Sequence, residues 1–164
     1  MKVLHLDENH PKLYQGFKQL GISNYFDFES EKKIIEKTIS RYDGIVLRSR
    51  IGIDKYLIEK ASKLKFIVRV GSGLENIDVD YAKKKEIKII SSPEGNSNAV
   101  GEHALGMLLS LINYMYSSQK EIFDGFWHRE SNRGFELKNK TVGIIGYGNT
   151  GKSFSKKLSG MDVK

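Results

Sequence analysis

The 164-residue chain has no cysteine, two prolines and one tryptophan. Without cysteine there is no disulfide, no thiolate zinc site and no cysteine nucleophile. That usage suits a reducing compartment, and a cytoplasmic protein is expected. Long apolar runs are missing too. The opening MKVLHLDENHP lacks the apolar core of a signal peptide. The longest stretch without a charged residue, His103 to Gln119, holds Asn113, Tyr114, Tyr116 and three serines. It makes a poor membrane span, so no membrane contact is expected. His5, His10, His103 and His128 are dispersed without metal-ligand spacing, and no metal is expected.

What is present is positive charge, a net +7. It is spread thinly over both halves of the chain. The only run of three basic residues, Lys83-Lys84-Lys85, falls where a helix should end. Cations there complement the helix dipole, so the run reads as a solvated helix end and no nucleic-acid partner is expected.

Short apolar segments alternate with amphipathic ones. Residues 2–7, 25–28, 44–49, 66–70, 87–91 and 141–146 are rich in Val, Ile and Phe, as covered parallel strands are. Between them, Leu13, Tyr14, Phe17 and Leu20 share one helical face, and Ile34, Ile35, Thr38 and Ile39 another. Leu57, Ile58 and Ala61 follow Asp54 as a cap, and Val79 and Ala82 follow Asp78. Five strand–helix units in the first 97 residues predict a doubly wound parallel α/β domain. Asn98 to Ser118 is apolar nearly all round. A helix of that kind lies buried between domains or between subunits. The break at Ser91-Ser92-Pro93 and Gly95-Asn96 places a domain boundary near residues 92–98, giving domains 1–97 and 98–164.

GIIGYGNTGKSF carries the sharpest motif. Gly146, Gly148 and Gly151 fit G-x-G-x-x-G between a strand and a helix, the pattern of a dinucleotide pyrophosphate site. Tyr147, Asn149 and Thr150 lie within the same turn. The acidic residue that should bind the ribose about 20 positions on has no counterpart, since Asp162 comes too early. In the first domain, candidate ligand groups sit at the C-terminal strand ends. They are Arg48 and Ser49, then Arg69 with Gly71, Ser72 and Gly73, then Asn96 after the fifth strand. Such a rim suits a small anion bearing carboxylate or phosphate. Arg50 reads as a solvated loop residue. Asp7 and Glu8 suggest a phosphorelay receiver, but a receiver needs an Asp where Arg48 stands. His103 reads as a satisfied or interface histidine. Trp127 reads as a packing anchor, with Arg129 in an ion pair nearby.

Taken in order, IVLRSR (45–50), VRVGSGLENID (68–78), PEGNSNAVGEHALGMLLSL (93–111), DGFWHR (124–129) and KTVGIIGYGNTG (140–151) resemble the D-isomer-specific 2-hydroxyacid dehydrogenases, most of all their phosphoglycerate-oxidising branch. The resemblance implies a flavodoxin-like substrate domain, a linking helix, and the first strand–turn–helix of an NAD-binding Rossmann domain. It implies that Arg48, Ser49 and Arg69 serve a substrate phosphate, that Gly71 to Leu74 offer N–H groups to a carboxylate, and that Asn96 lies at the substrate. NAD is the implied cofactor, and Gly146, Gly148 and Gly151 would hold its pyrophosphate. The family's catalytic Arg, Glu and His have no matching positions, so no catalytic residue is assigned and the chain is expected to be inactive, a fragment or a truncated product. A homodimer or larger homo-oligomer is implied, with Leu105, Leu108, Leu109, Ile112 and Trp127 at or beside the contact. The alternatives are a hydroxypyruvate or glyoxylate reductase of the same family, and a non-enzymatic NAD-binding protein of the corepressor type.

Overall fold

The computed structural model describes residues 1–164, which divide into two compact units, Met1–Pro93 and Glu94–Lys164. In the first unit, β1 (Lys2–His5), β2 (Ser23–Phe26), β3 (Gly44–Leu47), β4 (Phe66–Arg69) and β5 (Lys88–Ser91) form one parallel sheet in the order β2-β1-β3-β4-β5. That is the flavodoxin-like order of a doubly wound fold. The helices are α1 (Pro11–Gln19), α2 (Lys32–Thr38), α3 (Lys55–Lys60) and α4 (Val79–Lys84).

Side-chain alternation along the strands builds a core on each face. Leu4, Ile45, Leu47 and Ile67 are buried on one face against Ile35, Ile39, Leu57, Ile58 and Ala82 from α2, the turn after it, α3 and α4. Val3 and Val46 lie on the other with Leu13 and Phe17 of α1. β3 is buried throughout, as a central strand should be. Gly44 is required by its neighbour across the ladder, because a Cβ there would overlap the Phe66 ring.

The expected caps are present. Asp54 accepts from Leu57 N–H and Asp78 from Tyr81 N–H, both at 3.0 Å. The ammonium of Lys32 bonded to Asp54, with that N–H, holds the Asp54 carboxyl below its ordinary range. α4 ends in Lys83 and Lys84, with Lys85 as its C-cap. Two assigned face positions are corrected. Leu20 falls beyond the end of α1 and is 76% exposed, and Ile34 lies on the outer side of α2.

His5 is the one fully buried polar side chain of the sheet. Its Nε2 pairs with Asn24 Oδ1 at 2.7 Å, while Nδ1 is buried without a partner among Tyr14, Phe17 and Phe26. Desolvation pushes its pKa below the usual histidine value, against the opposing effect of the Asn24 bond. The unfolded chain therefore takes up a proton more readily than the folded one. The contribution is complete above pH about 6.5, declines as the pH falls below it, and is gone once the folded-state pKa is passed. Urea unfolding of the first unit should show a stability loss from pH 7 to 5 that His5→Gln flattens.

In the second unit the apolar segment is two helices, not one. α5 (Ser97–Ile112) and α6 (Met115–Phe123) are separated by Asn113 and by Tyr114, which has a left-handed φ of 50°. The break has a visible cause. Phe135 N–H takes the Ile112 carbonyl at 3.2 Å, and Gly134 packs so closely that a Cβ would overlap that oxygen. Asn113 Nδ2 closes the Leu109 carbonyl at 2.9 Å.

α5 packs on α7 (Asn149–Leu158) through Gly101, where a Cβ would crowd Ser153. Lys157 bonds Asn98 and Glu102, and the Asn98 Nδ2 bond to Glu102 Oε1 at 2.8 Å, with the Lys157 ammonium, holds the Glu102 carboxyl below its ordinary range. Leu105, Leu108, Leu109 and Ile112 pack in this unit's own core with Leu137, Phe154 and Leu158. The outer apolar positions are Met107, Leu111, Tyr116, Ile122 and Phe123.

Residues 141–146 form no strand ladder. Val142 N–H bonds Lys164 O and Lys164 N–H bonds Lys140 O, and Ile145 is fully exposed. A strand needs a neighbour, and these residues have only that single exchange. Trp127 is 76% exposed rather than packed, and Arg129 has no ion-pair partner.

Candidate functional site

The rim of the first unit is built where β3 and β4 end side by side. Leu47 pairs with Arg69, and Val70 N–H reaches Leu47 O at 2.8 Å. This register sets Arg48 and Ser49 next to the Arg69–Leu74 turn. Arg48 and Ser49 are exposed, and neither Arg48 nor Arg69 has a carboxylate within ion-pair distance. Arg69 donates Nη1 to the Val70 carbonyl at 3.0 Å, leaving its Nε buried without a partner. A buried N–H left without a partner is rare.

The turn after β4 offers donors. The N–H groups of Ser72, Gly73 and Leu74 have no protein acceptor, whereas Gly71 N–H is already taken by Arg69 O at 2.9 Å. Gly71 therefore does not add the fourth N–H that the resemblance implied. Its φ of 154° is one that other residues rarely adopt, and a Cβ there would also displace the Arg69 guanidinium. The exposed Glu75 carboxylate lies over Gly73 in the same way and must swing aside before an anion can use that N–H.

Arg50 is not a solvated loop residue. Its Nε, Nη1 and Nη2 donate to the carbonyls of Leu6, Ser30 and Asp27, each at 2.7 Å. All three guanidinium nitrogens are engaged by backbone carbonyls, although the residue stays exposed. Sequence reasoning weighed Asp7 only as half of a phosphorelay acidic pair and passed over Asn76. Asp7 Oδ2 accepts Arg48 N–H at 2.6 Å, and Asn76 Nδ2 donates to Arg48 O at 3.3 Å. The signal was a carboxylate at the end of β1 facing an Arg-rich strand end, which no periodicity argument weighs. Asn96 belongs to the second unit, exposed at the N-cap of α5 with no capping bond from its side chain.

In that unit the glycine turn has the geometry its motif predicts. Gly146 has φ 89°, open to glycine without strain. A Cβ on Gly151 would overlap the Gly146 carbonyl, so that position needs glycine for packing within the protein. A Cβ on Gly148 meets nothing within 4 Å, so protein packing does not explain that glycine. Gly148 caps α7, and the N–H groups of Asn149, Thr150 and Gly151 have no acceptor until Lys152 N–H bonds Gly148 O at 2.9 Å. Free N–H groups at the positive end of a ten-residue helix, reached past a bare glycine, fit a pyrophosphate. Tyr147 is exposed, its hydroxyl 3.3 Å from Ser155 Oγ.

The contrast between the glycines is testable. Gly151→Ala should cost about 1–3 kcal/mol of stability by forced displacement. Gly148→Ala should leave unfolding within about 1 kcal/mol while abolishing dinucleotide binding, read by nicotinamide fluorescence.

The histidines sit in four unrelated settings. His5 is buried, His10 caps α1, His103 is exposed on α5, and His128 pairs with Glu121 at 3.3 Å. No group of three His, Cys, Asp or Glu is placed to hold a metal ion. No helix is long and apolar enough to cross a membrane.

Residues 3–157 match the family model described as D-isomer specific 2-hydroxyacid dehydrogenase, catalytic domain. The chain is 36% identical over 135 residues to a D-3-phosphoglycerate dehydrogenase of Synechocystis, covering 82% of this chain and 24% of the relative. It is 32% identical over 159 residues to a hydroxypyruvate reductase of Thermotoga maritima, covering 97% of this chain and 51% of the relative. An NAD-dependent formate dehydrogenase from Staphylococcus aureus, solved in complex with NAD, superposes with a TM-score of 0.80 at 22% identity, over 100% of this chain and 54% of that one. The chain thus spans about half or less of the length of these proteins.

Proposed function

The chain belongs to the D-isomer specific 2-hydroxyacid dehydrogenase family, and we propose that it supplies the substrate-gripping and pyrophosphate-holding part of an NAD-dependent enzyme that interconverts 3-phosphoglycerate and 3-phosphohydroxypyruvate. The observation that carries this reading is the pair of guanidinium groups, Arg48 and Arg69, free of carboxylates at adjoining strand ends, one with a buried and open Nε. Arg48, Ser49 and Arg69 take the phosphate. The free N–H groups of Ser72, Gly73 and Leu74 take the carboxylate. The turn Gly146–Gly151 with Tyr147, Asn149 and Thr150 holds the dinucleotide. When bound, NAD accepts or returns the hydride. The residues of this chain bind and orient, and none is assigned to proton transfer.

A second reading, reduction of an unphosphorylated 2-oxo acid such as hydroxypyruvate, is favoured by one observation. The Glu75 carboxylate beside Gly73 opposes a phosphorylated acid, which bears a phosphate as well as a carboxylate, more than a singly charged one. Calorimetric titration of the chain with 3-phosphoglycerate and with D-glycerate separates the two. Tighter binding of the phosphorylated acid is expected, and equal affinity would favour the second. Nicotinamide absorbance should show no turnover with either acid. Turnover abolished by Gly148→Ala would overturn the assignment of binding without catalysis.

A further inference from the structure

The Arg48 segment is held far more firmly than an exposed strand end requires. Loop peptide groups at a surface are ordinarily satisfied by water. Here both sides of Arg48 are gripped by protein. Asp7, at the exit of β1, takes its N–H at 2.6 Å, and Asn76, in the turn after β4, donates to its carbonyl at 3.3 Å. Asn76 is itself fixed, since its own carbonyl accepts Ile53 N–H at 2.8 Å beside the Ile53–Ile77 bridge. Two residues further on, Arg50 ties three carbonyls at the ends of β1 and β2. The segment thus has anchors on both flanking strands, while the side chains between them, Arg48 and Ser49, stay exposed.

We infer that Asp7, Asn76 and Arg50 form a positioning clamp that sets Arg48 for the substrate phosphate, and so determines selectivity for a phosphorylated acid. The inference rests on the reading of Arg48 given above. A guanidinium carried on a fixed peptide loses less freedom when its ligand arrives, and its fork keeps the bidentate geometry that a phosphate needs. Lysine at position 50 would gather its three N–H donors on one nitrogen and could not match carbonyls spread over the three guanidinium nitrogens. None of the three clamp residues touches the ligand. They act through Arg48.

The test uses the full chain, with amide hydrogen exchange and two ligands, 3-phosphoglycerate and D-glycerate. In Asp7→Ala and in Asn76→Ala, exchange at the Arg48 amide should rise about tenfold, with core strand amides still protected. Affinity for 3-phosphoglycerate should fall about tenfold and that for D-glycerate much less. Asp7→Asn keeps an acceptor oxygen and should restore most of the loss. Combining Asn76→Ala with Arg48→Ala should add nothing to Arg48→Ala alone.

If Arg48→Ala weakens 3-phosphoglycerate but the clamp variants bind it like the unmodified chain, the clamp is wrong and the reading of Arg48 stands. Equal losses for both ligands in the clamp variants mean a structural role only, and overturn the inference. If Arg48→Ala itself binds 3-phosphoglycerate normally, the reading fails and the clamp falls with it.

Discussion

Arg48→Ala should weaken 3-phosphoglycerate by about 2–3 kcal/mol, the worth of a lost charge-assisted bond to a multiply charged oxyanion. D-glycerate, which lacks the phosphate, should lose much less. Arg48→Lys should recover only part of the loss, because an ammonium keeps the charge and gives up the fork. Arg48 is exposed and its backbone is anchored independently of its guanidinium, so truncation leaves no buried group unpaired. Unfolding midpoints should therefore be unchanged, which separates lost recognition from lost stability. Calorimetry on the unmodified chain and the two variants with the two ligands measures all of this. Equal losses for both acids would show that Arg48 does not read the phosphate.

The sheet was legible because its signal is local. β1 and β3 to β5 are short runs of Val, Ile, Leu or Phe bounded by a cap or turn, whereas β2 (Ser23–Phe26) opens on Ser and Asn and lies two residues before the expected 25–28; Asp54 and Asp78 announce their helices within three residues. The glycine turn was legible for the same reason, since three glycines at fixed spacing impose their own geometry. What escaped depends on contacts distant in the chain. Composition alone makes 98–118 one helix. Phe135, more than twenty residues on, breaks it by claiming the Ile112 carbonyl. Arg50 looks solvated until the carbonyls of Leu6, Asp27 and Ser30 close around it from 20 to 44 residues away. Asp7 and Asn76 are ordinary polar residues until the parallel order of β1, β3 and β4 brings both to Arg48. Strand 141–146 was misjudged for a different reason. Its residues favour a strand, but propensity supplies no partner.

The apolar face of the second unit leads to an expected homodimer. α5 is apolar on two faces, and only the inner one, through Leu105, Leu108, Leu109 and Ile112, is used by its own core. The outer one leaves Met107 62% and Leu111 72% exposed, and α6 adds Tyr116 at 80% and Phe123 at 82%. It also contains an open hollow of about 750 Å³, lined by His103, Met107, Leu111, Tyr114 and Tyr116 among others. Contiguous apolar surface of this kind marks an interaction site. A second copy is the occupant to expect, because a two-fold contact presents the same patch twice and each apolar side chain is covered in both subunits. Leu111→Glu therefore counts twice. Each subunit loses about 1.5–3 kcal/mol of side-chain burial and leaves a carboxylate to be desolvated. Light scattering at micromolar concentration should move from twice 18.7 kDa to 18.7 kDa on this one substitution. Leu20→Glu is the control, since Leu20 is as exposed at 76% but lies in the first unit, outside this face. It should leave the dimer intact. An unmodified chain that scatters as an 18.7 kDa monomer would show that the outer face of α5 and α6 tolerates water. Dissociation by Leu20→Glu would place the contact elsewhere.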